Sequence, residues 1–372
     1  MKILMILSKI FKTDSRVRIE ANTLIDNGHE VKIIVWDRKN KYSTEENVEN
    51  IQVFRIKNKG LLRILPSDLF RNPLWWRKAY KKAIEIKKEY DFDVVHCHDL
   101  DTLQAGVWIK NKTNCKLVYD AHEIFGYIIQ NKVPGFIVNR TFKMEKKLVK
   151  SIDQMITIST PFEKYFKTIT KKPITIVMNC KDLIYEKYEP KKNKVFTLLY
   201  IGSMSSIRFF PQIVDLVGNI SNVKFKIAGL KGWEYEEVER LSKKYENIEF
   251  LGTIPNKDIM KLTREADAIY MVVNSNFNQP KMTLFNKQFE AMVCGTPIIC
   301  SRGTNSGDMT EKLNCGIVVE YNEKSIKEGI VKLRDSKELC ENLGKNAFKA
   351  AKERYNWETE KKNLLKVYGE IK

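Results

Sequence analysis

Short apolar runs recur along this chain, and the segments between them are mostly of helical length. In the first half they lie at 3–7, 29–36, 51–56, 93–99, 116–123, 154–160 and 174–179. In the second half they lie at 196–202, 223–229, 247–252, 268–273, 298–300 and 316–320. Runs this short, rich in β-branched residues and closed by glycine or polar residues, read as buried strands. Alternation of strand and helix predicts an α/β fold with parallel, doubly wound sheets. The charged, proline-bearing segment KDLIYEKYEPKKNK (181–194) interrupts the alternation and reads as a linker. Two Rossmann-like domains are therefore expected, over 1–187 and 194–355, with a terminal helix over 356–372.

Within this pattern the stretch Asn286–Ser301, NKQFEAMVCGTPIICS, is the most informative. Phe289, Met292 and Val293 make one helical apolar stripe, with Asn286 as the expected cap. Gly295 and Pro297 end the helix, and Ile298, Ile299 and Cys300 form the next strand. Lys287 and Glu290 fall on one face of the first turn. A cation at a helix N-terminus is unfavourable by roughly 0.3–1 kcal/mol, and a bound anion would remove the conflict.

Composition narrows the partners. The formal charge is +19, and more than half of the excess precedes residue 187. Anionic partners follow: phosphates, nucleic acid or an acidic membrane surface. Basic residues cluster with Trp75, Trp76 and Tyr80 in the segment 61–90, which reads either as a membrane-surface face or as a solvated helix with aromatics in the core. No recognisable nucleic-acid module accompanies the charge, so no nucleic acid is expected. Seven scattered cysteines without a CxxC pair point to a reducing, cytoplasmic setting. No GxGxxG, Walker or GxSxG motif is present, which counts against a dehydrogenase, a P-loop enzyme or a serine hydrolase.

Parallel sheets bind ligands at the carboxyl ends of their strands. Three such loops carry chemistry here. YDAHE supplies Asp120, His122 and Glu123. GSMSSIR supplies Gly202, where backbone can approach a phosphate, and Arg208, a charged fork. The third is the helix start with Lys287 and Glu290. Asp99 and Asp101 read as loop and helix-cap residues. His96 and His98 share a strand face, but no third histidine is near in sequence, so no metal site is expected.

With these residues in view, the chain resembles the retaining GT-B-fold glycosyltransferases of family 4, the group 1 transferases. The resemblance runs through DSRVRIEANTLIDNGHEV, FDVVHCHD, VYDAHE, IVMN, YIGSMSSIR, FLGTIPNKDIMKLTREADAIYMVV, NKQFEAMVCGTPII and the terminal YNWETEKKNLLKVY. It implies two facing Rossmann-like domains with the active site in the cleft between them. It also implies metal-independent hexosyl transfer from a nucleotide-sugar, UDP- or GDP-linked and used as co-substrate with no other cofactor. The acceptor would be a saccharide or lipid-linked glycan, and the basic first domain could touch the inner face of the cell membrane.

Residue by residue, the resemblance gives His122 and Glu123 catalytic places. It gives Gly202, Ser203, Arg208, Asn286, Lys287 and Glu290 to the donor, and Asp14 and Arg16 to the acceptor side. Ser203 stands where many members have Arg, Met282 where the family has the first Glu of E-x7-E, and Asn179-Cys180 where Asn-Gly is usual. The alternatives are a nucleotide-sugar epimerase of the same fold and an inactive, anion-binding member.

Overall fold

The computed structural model describes residues 1–232 and 234–371. The chain divides into two compact units. One comprises Met1–Met178 and the chain from Lys361 onward, and the other Asn179–Glu360. The first unit thus ends nine residues before the expected boundary at 187, and the terminal segment returns to it.

The first unit is built on eight strands: β1 (Lys2–Leu7), β2 (Glu30–Asp37), β3 (Glu45–Val48), β4 (Ile51–Lys57), β5 (Val94–His98), β6 (Lys116–Ala121), β7 (Gln154–Thr157) and β8 (Ile174–Ile176). Their order is β3-β4-β2-β1-β5-β6-β7-β8, and only the β3–β4 pair is antiparallel. The polar strand β3, EENV, lies at the sheet edge and was not foreseen. β1 is paired on both sides, and Ile3 to Ile6 are fully buried. A parallel strand covered on both faces needs such a continuous apolar run.

Against this sheet lies the 22-residue helix Asp68–Glu89. Trp75 is fully buried and stacks on Trp36 with ring centroids 5.3 Å apart. The indole N–H groups of Trp75 and Trp76 both donate to the Asp101 carbonyl. These tryptophans therefore serve the core, not a membrane face. The exposed apolar residues of this region are Leu61, Ile64, Leu69 and Phe70.

The second unit has six parallel strands: β9 (Phe196–Ile201), β10 (Val223–Ala228), β11 (Ile248–Gly252), β12 (Ala268–Met271), β13 (Ile298–Ser301) and β14 (Gly316–Val319), ordered β11-β10-β9-β12-β13-β14. Leu198, Tyr200 and Tyr270 pack into one core, and Leu199, Ile201, Ile269 and Met271 into another. Alternate residues of β9 and β12 thus fill both faces, as a doubly wound sheet requires.

The helix Asn286–Val293 joins this sheet as its periodicity predicts, with Phe289, Met292 and Val293 fully buried. Burial of each contributes about 1.5–3 kcal/mol. Its start differs from expectation. Phe285 occupies the cap position and Asn286 is already the first helical residue, so the Asn286 side chain cannot close the turn. Its end is a Schellman motif: Gly295 N–H donates to the Met292 carbonyl at 3.0 Å and Thr296 N–H to the Ala291 carbonyl at 2.9 Å. Gly295 has φ +60°, and a Cβ there would meet Tyr188 Cδ2 at 2.6 Å. Backbone conformation and close packing both require glycine at this position.

Candidate active site

In the first unit, charged groups gather beyond β1, β5 and β6. Asp14 starts the helix Ser15–Asp26, accepting from Arg16 N–H at 3.2 Å, and its carboxylate also holds the Arg16 guanidinium through contacts of 2.9 and 3.1 Å. Burial disfavours the Asp14 carboxylate, yet the charge and hydrogen bonds of Arg16, with Lys9 and His122, hold it well below the usual range. For Arg16, burial also opposes the charge, and Asp14, Asp99 and Glu123 more than offset it. Asp14 and Arg16 are thus locked to each other and share one electrostatic field with His122 and Glu123.

His122 is buried, and its Nε2 lies 2.6 Å from Asp120 Oδ2. Its backbone N–H donates to Asp99 Oδ1 at 3.2 Å. Asp99 has φ +62° and ψ 164°, a conformation that costs an L-residue about 1–3 kcal/mol. Asp99 N–H donates to the Asp120 carbonyl, its own carbonyl accepts from Thr102, and its carboxylate lies 3.6 Å from Lys9 Nζ. Asp99 stands at a helix start, as expected, but its side chain serves His122 and not the helix. Asp101 lies inside that helix, Leu100–Thr113, and accepts from the Ser8 hydroxyl; burial, then Asp99, push its carboxyl up to about 6. Glu123 is half-buried, and burial followed by the Asp99 charge raises its carboxyl against the pull of Lys9 and Arg16.

Behind His122 lie residues that sequence reasoning left unconnected. His98 Nδ1 is 2.9 Å from Asp120 Oδ2, and His96 Nδ1 is 2.6 Å from the Tyr368 hydroxyl. Burial, then His98, lower the His96 pKa to about 4. Glu20 completes the group, with Oε1 3.9 Å from His122 Nε2. The expectation of no metal rested on the search for a third nearby histidine. The fold sets Glu20, from a separate helix, and Asp120, from β6, beside the two imidazoles.

In the second unit, β9 ends at Gly202, where the loop is tightly packed. A Cβ on Gly229 would lie 1.9 Å from the Gly202 carbonyl oxygen, so only glycine lets these strand ends meet. Ser203 is exposed. Arg208 is held by its backbone: Tyr270 Oη donates to its carbonyl at 3.3 Å, and Asn274 N–H to that of Ile207 at 2.8 Å. Tyr321 Oη donates to the Ser206 carbonyl and accepts from Phe209 N–H at 3.2 Å. These bonds steady Phe209, whose φ of +61° is unusual for a bulky residue. Tyr321 was not foreseen, and no local motif marks it.

The Arg208 side chain has no carboxylate partner among the described residues. Its guanidinium lies 5.3 Å from the centroid of Phe285, the residue that begins the helix of Lys287 and Glu290. The loop and the helix start therefore meet at Arg208 and Phe285, one residue before the helix that carries Lys287 and Glu290. Lys287 Nζ contacts Glu290 Oε2 at 2.6 Å, and Lys181 approaches Glu290 Oε1 at 3.9 Å. Asn286 makes no side-chain hydrogen bond among the described residues. Met282 lies in the short helix Asn278–Met282, and its carbonyl accepts from Asn305. A cationic fork, a lysine and a helix N-terminus can hold an anion, while Glu290 can accept from hydroxyls.

Two Rossmann-like units carrying such loops define a GT-B glycosyltransferase. The particular family follows from sequence: residues 15–183 match Glycosyltransferase Family 4, and residues 184–350 match Glycosyl transferases group 1. The chain belongs to this family. It is 22% identical to uncharacterized glycosyltransferase MJ1069 of Methanocaldococcus jannaschii over 350 residues, 87% of this chain and 85% of that protein. Uncharacterized glycosyltransferase MJ1607 of the same organism is 23% identical over 379 residues, covering 94% and 91%. Among solved structures, sucrose-phosphate synthase from Thermosynechococcus elongatus superposes with a TM-score of 0.83 at 17% identity, covering 100% of this chain and 98% of that one. Anabaena HepE in complex with UDP-glucose gives 0.72 at 15% identity, covering 99% of each. A transferase is favoured over the epimerase alternative. Among the described residues, no helix is long and apolar enough to cross a membrane.

Proposed function

We propose that the chain transfers a hexose, with retention of configuration, from a UDP- or GDP-sugar to a saccharide or lipid-linked acceptor in surface glycan synthesis. The observation that carries this reading is Arg208, without a carboxylate partner among the described residues and 5.3 Å from the ring centroid of Phe285, the cap of the helix of Lys287 and Glu290. Departure of the nucleotide places negative charge on a diphosphate. Arg208, Lys287 and the first-turn amides stabilise that charge as it develops, without a metal on the phosphates. Glu290 accepts hydrogen bonds from the ribose hydroxyls. In this reading His122, oriented by Asp120 and Asp99, serves the sugar, Asp14 and Arg16 serve the acceptor, and Glu123 is the carboxylate assigned to the chemistry.

The acceptor hydroxyl attacks the anomeric carbon on the face the nucleotide leaves, its proton passing to the departing phosphate oxygen. Proton NMR of the first-formed product tests this step. The donor's anomeric configuration should persist, and an inverted product would sink the retaining reading.

A cytoplasmic enzyme acting on a lipid-linked acceptor would work at the inner membrane face. Leu61, Ile64, Leu69 and Phe70 are 47–76% exposed, with Arg63 and Arg71 in the same segment. Apolar and basic residues in such company suit an anionic bilayer. Vesicles containing phosphatidylglycerol should capture the protein at low salt, and Ile64→Glu with Phe70→Glu should release it. Equal capture by neutral vesicles would count against this surface.

A further inference from the structure

The first unit contains a buried cluster whose hydrogen bonds leave it incomplete. His96 and His98 lie two apart on β5, so both imidazoles leave the sheet on one face. Their ring centroids are 4.3 Å apart. Asp120 is the register partner of His98 on β6, and Glu20 comes from the helix Ser15–Asp26. None of the four is more than 2% exposed. One ligand atom from each lies within 4.8 Å of all the others.

Four polar atoms of this cluster have no hydrogen-bond partner among the described residues: Glu20 Oε2, His96 Nε2, His98 Nε2 and Asp120 Oδ1. Each buried group left so costs about 1–3 kcal/mol, and four in one cluster are far from the usual pattern. His96 Nε2 is 3.6 Å from Asp120 Oδ2 and 4.0 Å from Glu20 Oε2, beyond a good hydrogen bond. An imidazole nitrogen of His96 thus faces a carboxylate oxygen of Asp120 and one of Glu20 without a good hydrogen bond to either. The other nitrogen of His96 is fixed by the Tyr368 hydroxyl, as the far nitrogen of a metal-binding histidine commonly is.

We propose that Glu20, His96, His98 and Asp120 bind one divalent transition-metal cation, of the Zn²⁺ class, within the first unit. Two imidazoles and two carboxylates without a thiolate form a four-coordinate donor set that suits zinc, and cobalt as its spectroscopic substitute. Bond lengths of about 2.0–2.2 Å place tetrahedral ligand atoms about 3.4 Å apart, so the group, spread over as much as 4.8 Å, must contract on the ion. The cation neutralises two carboxylates that otherwise face each other in the core. It also fixes Asp120, whose Oδ2 contacts His122 Nε2 at 2.6 Å. Its role is structural and positioning, separate from charge stabilisation at the donor, and it stands whether or not the transfer reading does.

The burial of the site calls for loading during synthesis. The full chain would be expressed in zinc-depleted, cobalt-supplemented medium and washed with chelator, then assayed for retained cobalt and its visible d–d absorption. One cobalt per chain with the intense bands of a four-coordinate ion is expected. Glu20→Gln and His96→Gln, each with a native circular-dichroism spectrum, should retain about tenfold less or lower, while His29→Gln should retain as much as wild type. No stoichiometric cobalt in the wild type, or full retention in both cluster variants, overturns the proposal. Should the variants not fold, X-ray absorption on the wild type decides. A shell of two nitrogens and two oxygens supports the site, and a six-oxygen or sulfur-containing shell refutes it.

Discussion

The His122 region of the first unit and the Arg208 region of the second satisfy charge in opposite ways. Around His122 several charges are paired internally: Asp14 with Arg16, Asp99 with Lys9, Asp120 with two imidazoles. Around Arg208 the backbone is fixed from several sides, while the guanidinium rests on an aromatic face without an anion. The first arrangement orients a histidine before anything binds. The second leaves a cation without a carboxylate partner among the described residues, as the proposed donor role requires. Preorganisation of both kinds lowers a barrier, because little need move as charge develops.

The largest expected effect separates these roles. Arg208→Ala should lower turnover by about 10²–10³, as loss of a charge-stabilising donor does, with thermal stability nearly unchanged because the side chain has no carboxylate partner among the described residues, only the Phe285 ring. His122→Ala should lower turnover by tenfold or more, in the range of that same donor loss, and should perturb stability as well, since Asp120 loses a partner. Steady-state kinetics beside thermal melts distinguish the two patterns. A stability loss in Arg208→Ala equal to that in His122→Ala would erase the contrast.

Tyr321→Phe sharpens it. Both hydrogen bonds of the hydroxyl to the Arg208 loop disappear, and a loss of about 1–3 kcal/mol in donor affinity follows. In the Arg208→Ala background the same change should add little, because residues acting through one group are not additive. Full additivity in a double-mutant cycle would show that Tyr321 acts elsewhere.

The units should also differ in their response to pH. Glu145 is fully buried in the first unit and accepts from Tyr119 and Tyr165 at 2.8 and 3.2 Å. Burial raises its carboxyl to about 7 against the tyrosine hydrogen bonds, with Asp99 adding to the rise. A pKa raised above the unfolded value means that the folded state holds the proton longer. Its contribution is fully present below the ordinary carboxyl value of 4.5 and is lost as pH rises through about 7. Urea melts across that window should show wild type losing stability relative to Glu145→Gln as pH climbs. Parallel curves would remove Glu145 from the account.

Gly295→Ala brings the smallest functional change. The backbone strain and the contact with Tyr188 should reduce stability by more than about 1 kcal/mol, with donor affinity altered only through the attached helix. A neutral urea midpoint would contradict the required left-handed glycine.

Much of this was legible from sequence because it is local. The stripe of Phe289, Met292 and Val293 and the stop at Gly295 are written within a few residues, and so is the strand-end position of His122. The cap was misplaced by one residue because Phe285, with no polar side chain, takes the position that Asn286 was expected to fill. β3 was missed because EENV is polar and borders the sheet on one side only. Glu20 and Tyr321 escaped for a different reason. Glu20 looks like a solvated position on an amphipathic helix, and Tyr321 like a loop aromatic, until the fold brings in partners from distant elements.

The most direct test of the account is a thermal-shift panel of UDP-, GDP-, ADP- and dTDP-sugars on wild type, Arg208→Ala and Glu290→Ala. At 100 times its dissociation constant, the true donor should stabilise the wild type by about 2.7 kcal/mol. The account predicts a shift with one nucleotide class that both substitutions abolish. A shift that survives both, or no shift with any nucleotide-sugar, would contradict the assignment of Arg208 and Glu290 to the donor.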